Sequence, residues 1–107
     1  MEWYKILNDL GVSPHVRGYE YLKVALEIAY ENSDNFLITK HIYPEVAKRF
    51  NSTDSRVERA IRYAIETAII DSPKFRELFP FKWTNSFVIA RLLNMRKMQC
   101  LEEWFVD

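Results

Sequence analysis

Apolar positions recur every three to four residues along most of the chain, the spacing of one helical face. Trp3, Ile6, Leu7 and Leu10 share a face of a helix predicted over residues 2–10, and Gly11 fits a left-handed stop after it. In the following VSPHVRGY segment, Ser13 before Pro14 resembles a cap followed by a first-turn proline. Gly18 blurs that start, so the second helix is drawn over 19–31, with Leu22, Ala25, Leu26 and Ala29 at helical spacing. Asn32, Ser33, Asp34 and Asn35 form a break. A third helix runs into Phe50 with Ile42, Val46 and Phe50 inward; Pro44 either opens its last stretch or kinks a longer helix. A fourth helix covers 55–69. Ser72 and Pro73 then open a short helix that Phe79, Pro80 and Phe81 end. Thr84 or Asn85 caps a last helix over 86–103. No segment alternates as a strand does, and no repeat, low-complexity stretch or linker stands out. The expectation is an all-α, six-helix fold in a single domain spanning 1–107.

The third and fourth helices are joined by a four-residue polar turn: TKHIYPEVAKRF, then NSTD, then SRVERAIRYAIETAI. Two helices so joined can cross steeply, and the second can lie in the major groove of DNA. At about 100° per residue, Val57, Ile61, Ala64 and Ala68 fall on one side of the fourth helix. Ser55, Arg59, Arg62, Tyr63 and Glu66 fall opposite. An anchored apolar stripe with an outward stripe of arginines is the division a recognition helix needs.

Composition narrows the classes. With 107 residues, 49% apolar, two glycines and four prolines, the chain suits a packed globule rather than a disordered or fibrous one. No apolar run approaches the roughly 20 residues that span a bilayer, and the acid-bearing MEWYKILNDL start does not resemble a signal peptide. The single Cys100 has no internal partner for a disulfide, so a cytoplasmic setting is expected. No membrane partner, cofactor or metal is expected; His15 and His41 lie on separate segments, and no Cys/His spacing suggests zinc. Two glycines make no phosphate-cradling loop, and no nucleophile–base set is evident, so the chain is not read as an enzyme.

Formal net charge is zero, which weighs mildly against DNA, because phosphate contacts dominate affinity. The distribution answers this in part. Between 40 and 62 the bases Lys40, Lys48, Arg49, Arg56, Arg59 and Arg62 face only Glu45, Asp54 and Glu58, a surplus of three. Residues 1–39 lean the other way, with three bases against six acids. The positive segment therefore coincides with the candidate reading unit, although a solvated helix can also cluster charge by chance.

Base reading needs paired donors or acceptors near the front of the helix. Arg59 can fork onto guanine O6 and N7, and Glu58 can accept from the cytosine amino group. Arg56 and Arg62 can reach phosphate or base edges, and Tyr63 can donate to a phosphate. Thr39, Lys40, Ser52 and Thr53 are further candidates for phosphate contact. Each has a blander reading. Ser55 and Glu58 form the S-x-x-E pattern of a capping box, and on the residues alone that cap is favoured for Glu58. Glu58, Arg62 and Glu66 at i,i+4 spacing can be ordinary surface ion pairs. Tyr63 can be a half-buried packing residue, and the Thr and Ser residues can be caps alone.

These residues also carry a resemblance. FNSTDSRVERAIRYAIE resembles the reading segment of the C-terminal effector domains of sporulation-initiating response regulators, the stage zero sporulation protein A family. LGVSPHVRGYEYLKVALEIAY is similar to the start of that domain, ITKHIYPEVAKRF to the helix before the reader, and TNS at 84–86 to the opening of its last helix. The resemblance implies a six-helix DNA-binding domain that regulates transcription. It places Glu58 and Arg59 at positions that read bases, and Arg56 and Arg62 near DNA; for Glu58 it raises base contact above the cap alone, and the two roles can coexist. It also implies a homodimer on tandem sites, through the last two helices. Residues 69–83 are shorter than their family counterpart and lack its Trp-x-Arg-Gly run, and the MQCLEEWFVD end differs too. No part of the 107 residues resembles the family's receiver domain, so the sequence reads as a stand-alone domain or an excised piece.

The leading expectation is thus a sequence-specific, double-stranded DNA-binding transcription regulator reading the major groove with residues 55–69. The alternative is a protein-interaction module of the same fold that pairs with or antagonises a related regulator, suggested by the zero net charge and by Trp104, Phe105 and Val106 near the end. Protein partners expected beside DNA are a second copy, a related regulator and RNA polymerase.

Overall fold

In the computed structural model, which describes residues 2–32, 38–81 and 83–98, the periodic segments become six α-helices. They are α1 (Trp3–Leu10), α2 (Arg17–Glu31), α3 (Tyr43–Arg49), α4 (Asp54–Asp71), α5 (Pro73–Leu78) and α6 (Asn85–Lys97). A π-helical turn, Ile38–Ile42, leads into α3, and no strand occurs among the described residues. The all-α expectation holds.

Several boundaries differ from those the local pattern predicts. Glu2 is extended and precedes α1 rather than opening it. Ser13 and Pro14 do not start α2; the Ser13 hydroxyl accepts from the His15 backbone N–H at 3.3 Å in a separate turn, and α2 begins at Arg17 after extended Val16. Pro44 is the second residue of α3, which follows directly on a helical Ile42 and the π turn. It has no N–H to give, so it sits where a first-turn donor goes unused, and the residues before it take the wider π geometry. Phe50 is not inward: it sits at the C-cap, partly exposed, with its ring 4.9 Å from that of Tyr21. α6 runs Asn85–Lys97 with Met98 at its C-cap, and Arg96 and Lys97 suit the negative end of its dipole; residues 99–103 of the expected helix lie outside the described residues. Asn32 ends α2 as expected, whereas Ser33, Asp34, Asn35 and the apolar tail Trp104, Phe105 and Val106 lie outside the described residues.

The core forms where α2 meets α1, α3, α4 and α6. Leu22 and Leu26 of α2, Ile61 and Ile65 of α4, and Ile89 and Leu92 of α6 are fully buried, each contributing roughly 1.5–3 kcal/mol by burial. Gly18 sets the closest approach. A Cβ there would lie 1.9 Å from the Ala60 carbonyl oxygen, so α2 and α4 touch backbone to backbone. Gly11 has φ +94°, and its N–H and that of Val12 close α1 onto Asn8 and Leu7 in a Schellman motif. Ser72 ties the far end of α4 to that turn: its hydroxyl donates to the Leu10 carbonyl at 2.8 Å and accepts from the Phe75 N–H at 3.1 Å. α4 is therefore fixed to the rest of the fold at Ala60 and at its C-terminal end.

Candidate nucleic-acid interface

The turn between α3 and α4 is built by backbone chemistry. Asn51 adopts φ 51°, in the left-handed region that asparagine tolerates better than most residues. Ser52 N–H then reaches the Ala47 carbonyl at 2.8 Å and Asn51 N–H the Lys48 carbonyl at 3.4 Å, a Schellman closure of α3. The chain leaves that closure extended at Thr53, whose side-chain oxygen accepts from Arg56 N–H at 3.2 Å. Thr53, not Ser55, is thus the cap of α4. Ser55 is already helical and exposed, so the Ser55–Glu58 capping box is absent.

Glu58 has a different partner. Arg62, one turn further on, donates to its Oε1 through Nε at 3.1 Å and also through Nη2. That hydrogen bond is the first cause of the upward shift in the Arg62 pKa, reinforced by the charges of Glu58 and Glu66. The side chain of Glu58 is 31% exposed and its Oε2 takes no part in this fork.

The two faces of α4 divide as the periodicity required. Val57, Ile61, Ala64 and Ala68 are buried, joined by Ile65. Ser55, Arg56, Arg59, Arg62, Tyr63 and Glu66 are exposed. Tyr63, at 58% exposure, is no packing residue. Arg56 and Arg59 form no ion pair among the described residues, so their charge is unneutralised locally. Lys40 is exposed in the π turn. It is separated from the α3–α4 turn by the length of α3, about 10 Å. Thr39 belongs to the same turn by its backbone, and its side chain lies outside the described residues. Ser52 is partly covered, and the Thr53 hydroxyl keeps its own hydrogen free to donate. The structure therefore gathers Ser55, Arg56, Arg59, Arg62 and Tyr63 on one helix face, with Ser52 and Thr53 at its start and Lys40 beyond α3.

Behind this face lies a group that periodicity did not single out. Asn85, the first residue of α6, is 7% exposed, and its Nδ2 donates to the Glu58 carbonyl at 2.9 Å. Tyr43 of α3 is buried beside it; burial pushes its hydroxyl pKa up, opposed by a hydrogen bond from Asn85. Tyr43, Asp54, Ser55, Glu58, Thr84, Asn85 and Ser86 line a cleft of about 510 Å³ between α4 and α6. The only local hint was the TNS segment at 84–86, where Thr84 indeed caps α6 by accepting from Phe87 N–H at 3.3 Å. A polar residue at a helix start gives no sign that it will be buried against another helix.

Among the described residues, no helix is long and apolar enough to cross a membrane, and no group of three or more His, Cys, Asp or Glu side chains could hold a metal ion. Compared with known families, residues 3–94 match the family described as sporulation initiation factor Spo0A C terminal.

Proposed function

Because the chain belongs to the Spo0A C-terminal family, the DNA-binding effector domains of sporulation response regulators, we propose that it is a sequence-specific regulator of transcription that reads the major groove of double-stranded DNA with residues 55–69. One observation carries this reading: α4 buries Val57, Ile61, Ala64 and Ala68 while presenting Arg56, Arg59, Arg62 and Tyr63 to solvent. Arg59 forks onto guanine, and Glu58 accepts from a cytosine amino group through the Oε2 that Arg62 leaves open. Arg56, Lys40, Thr39, Ser52, Thr53, Ser55, Arg62 and Tyr63 fix the helix on the backbone phosphates or neighbouring edges. Residues 1–107 act as one binding unit in this scheme. The test is selection of bound duplexes from a random pool, followed by footprinting. A single enriched site protected over one or two half-sites supports the reading, and no enrichment at low salt overturns it.

A second, compatible reading concerns proteins. Ile70, at the end of α4, is 74% exposed, and Phe81, beyond α5, is 92% exposed. Large apolar side chains so placed suit a protein contact beside the DNA, with a second copy on a tandem site, a related regulator or RNA polymerase as the occupant. Sedimentation of the chain with a one-site and a two-site duplex separates pairing on DNA from independent binding.

A further inference from the structure

We propose that Asn85 is a positioning residue for base reading: from α6 it sets the register of the first turns of α4, and so the placement of Glu58 and Arg59. The inference rests on the proposed function, in which those two side chains read bases.

The geometry supporting it is specific. The Asn85 amide donates to the backbone of Glu58, not to its carboxylate. It therefore holds the helix at that residue and leaves the side chain available. The Glu58 carbonyl also accepts from within the helix ladder, so this bond is additional to what α4 needs for its own integrity. The Oδ1 of Asn85 is buried without a partner among the described residues. For stability alone an apolar side chain would fill this place better, because an orphaned buried acceptor is unfavourable. A side chain that is poor for stability yet bonded to the backbone of a reading residue is better understood as fixing position. Tyr43 of α3 lines the same cleft as Asn85 and Glu58, and a hydrogen bond from the Asn85 amide opposes the upward effect of burial on its hydroxyl pKa. One side chain therefore links α3, α4 and α6 where the two helices of the reading unit meet.

Paired contacts to base edges demand placement within about 0.5 Å and 10–20°. Contacts from long arginine and lysine side chains to phosphates tolerate more, because those chains can reorient. Loosening the Asn85 link should therefore degrade discrimination between sequences before it degrades binding to DNA in general.

The experiment uses the full chain with Asn85→Asp and Asn85→Ser, binding a selected duplex, its single-base-pair variants and a random duplex across a range of salt. Aspartate is favourable at a helix N-terminus, so Asn85→Asp keeps α6 while removing the donor. The expected result is a loss of about tenfold in discrimination at the pair read by Glu58 in both variants, with random-duplex affinity and salt slope unchanged in Asn85→Ser, which adds no charge. The Glu58→Ala variant should lose preference at that same pair, and combining it with Asn85→Asp should add little. Equal losses on selected and random duplexes would show a merely structural role and overturn the inference. So would wild-type discrimination in Asn85→Asp while Glu58→Ala loses it. If Glu58→Ala and Arg59→Ala both keep full discrimination, the base-reading scheme itself fails instead. Should neither Asn85 variant fold, the side-chain amide of Asn85 in the native protein decides. Slow exchange, and a resonance that differs between matched and mismatched duplexes, supports positioning; exchange as fast as that of an exposed amide overturns it.

Discussion

Arg62 folds back onto Glu58 so that its Nε and Nη2 both meet Oε1, leaving Oε2 of the same carboxylate outside the fork. An exposed i,i+4 pair contributes little to stability. It does restrict the rotamer of Glu58, and in the proposed reading of DNA by α4 a restricted carboxylate at the front of the helix is worth more to specificity than to folding. Arg62→Ala should therefore leave the melting temperature nearly unchanged while relaxing preference by about tenfold at the base pair assigned to Glu58 in the proposed function. A double-mutant cycle with Glu58→Ala measures this: strong non-additivity in duplex discrimination is expected, and simple additivity would show that the fork does not orient Glu58.

Arg59 has no ion-pair partner among the described residues and stands exposed on the same face. Arg59→Ala is expected to weaken binding to the selected site by about 1–3 kcal/mol and to relax base choice at one position. Arg56→Ala, by contrast, should weaken all duplexes alike and lower the salt slope by about one. Titrations at several salt concentrations separate the two. Uniform loss for Arg59→Ala would place it on the backbone alone.

The left-handed Asn51 is the hinge of the α3–α4 turn. A β-branched residue there must carry a strained backbone, so Asn51→Val is expected to destabilise the fold by about 1–2 kcal/mol. Asn51→Gly should be neutral or slightly stabilising, since glycine adopts this conformation freely. Denaturant midpoints of the two variants check the contrast.

Gly18 holds α2 against the backbone of α4, where a Cβ would press on the Ala60 carbonyl and the Ala64 methyl. Gly18→Ala should force the helices apart at a destabilisation of about 1–3 kcal/mol or more. Because α4 is the element displaced, affinity for the selected site should fall even where the variant remains folded. Thermal denaturation and binding at a temperature well below the transition test both halves.

Tyr43 has a hydroxyl whose pKa burial raises above the ordinary 10.0. Well below pH 10 the hydroxyl is protonated in both folded and unfolded chains, so it adds no pH dependence there. Above about 10 the unfolded chain ionises first and unfolding is favoured, until pH passes the raised folded value. Stability should therefore fall on the alkaline side, and Tyr43→Phe should make that fall shallower. Urea midpoints between pH 9 and 11 are the measurement, and unchanged alkaline slopes would remove Tyr43 from the account.

The amino-acid sequence by itself determined the six helices, the buried and exposed faces of α4, and the cap at Ser72, and it narrowed the cap of α6 to Thr84 or Asn85, because each depends on periodicity or hydrogen bonding within a few residues. It was less decisive where two local solutions competed. Ser55 and Thr53 can both cap a helix, and the left-handed closure at Asn51 selected Thr53 by setting where the chain turns extended. That choice removed the capping box and left Glu58 to Arg62. The remaining decisions belonged to tertiary structure alone. Asn85 reaches Glu58 across 27 residues of sequence, and Gly18 matters because of the α4 backbone that packs onto it. Neither carries a periodic signature, since the partner that gives each its role comes from a distant helix and meets it only when the core closes.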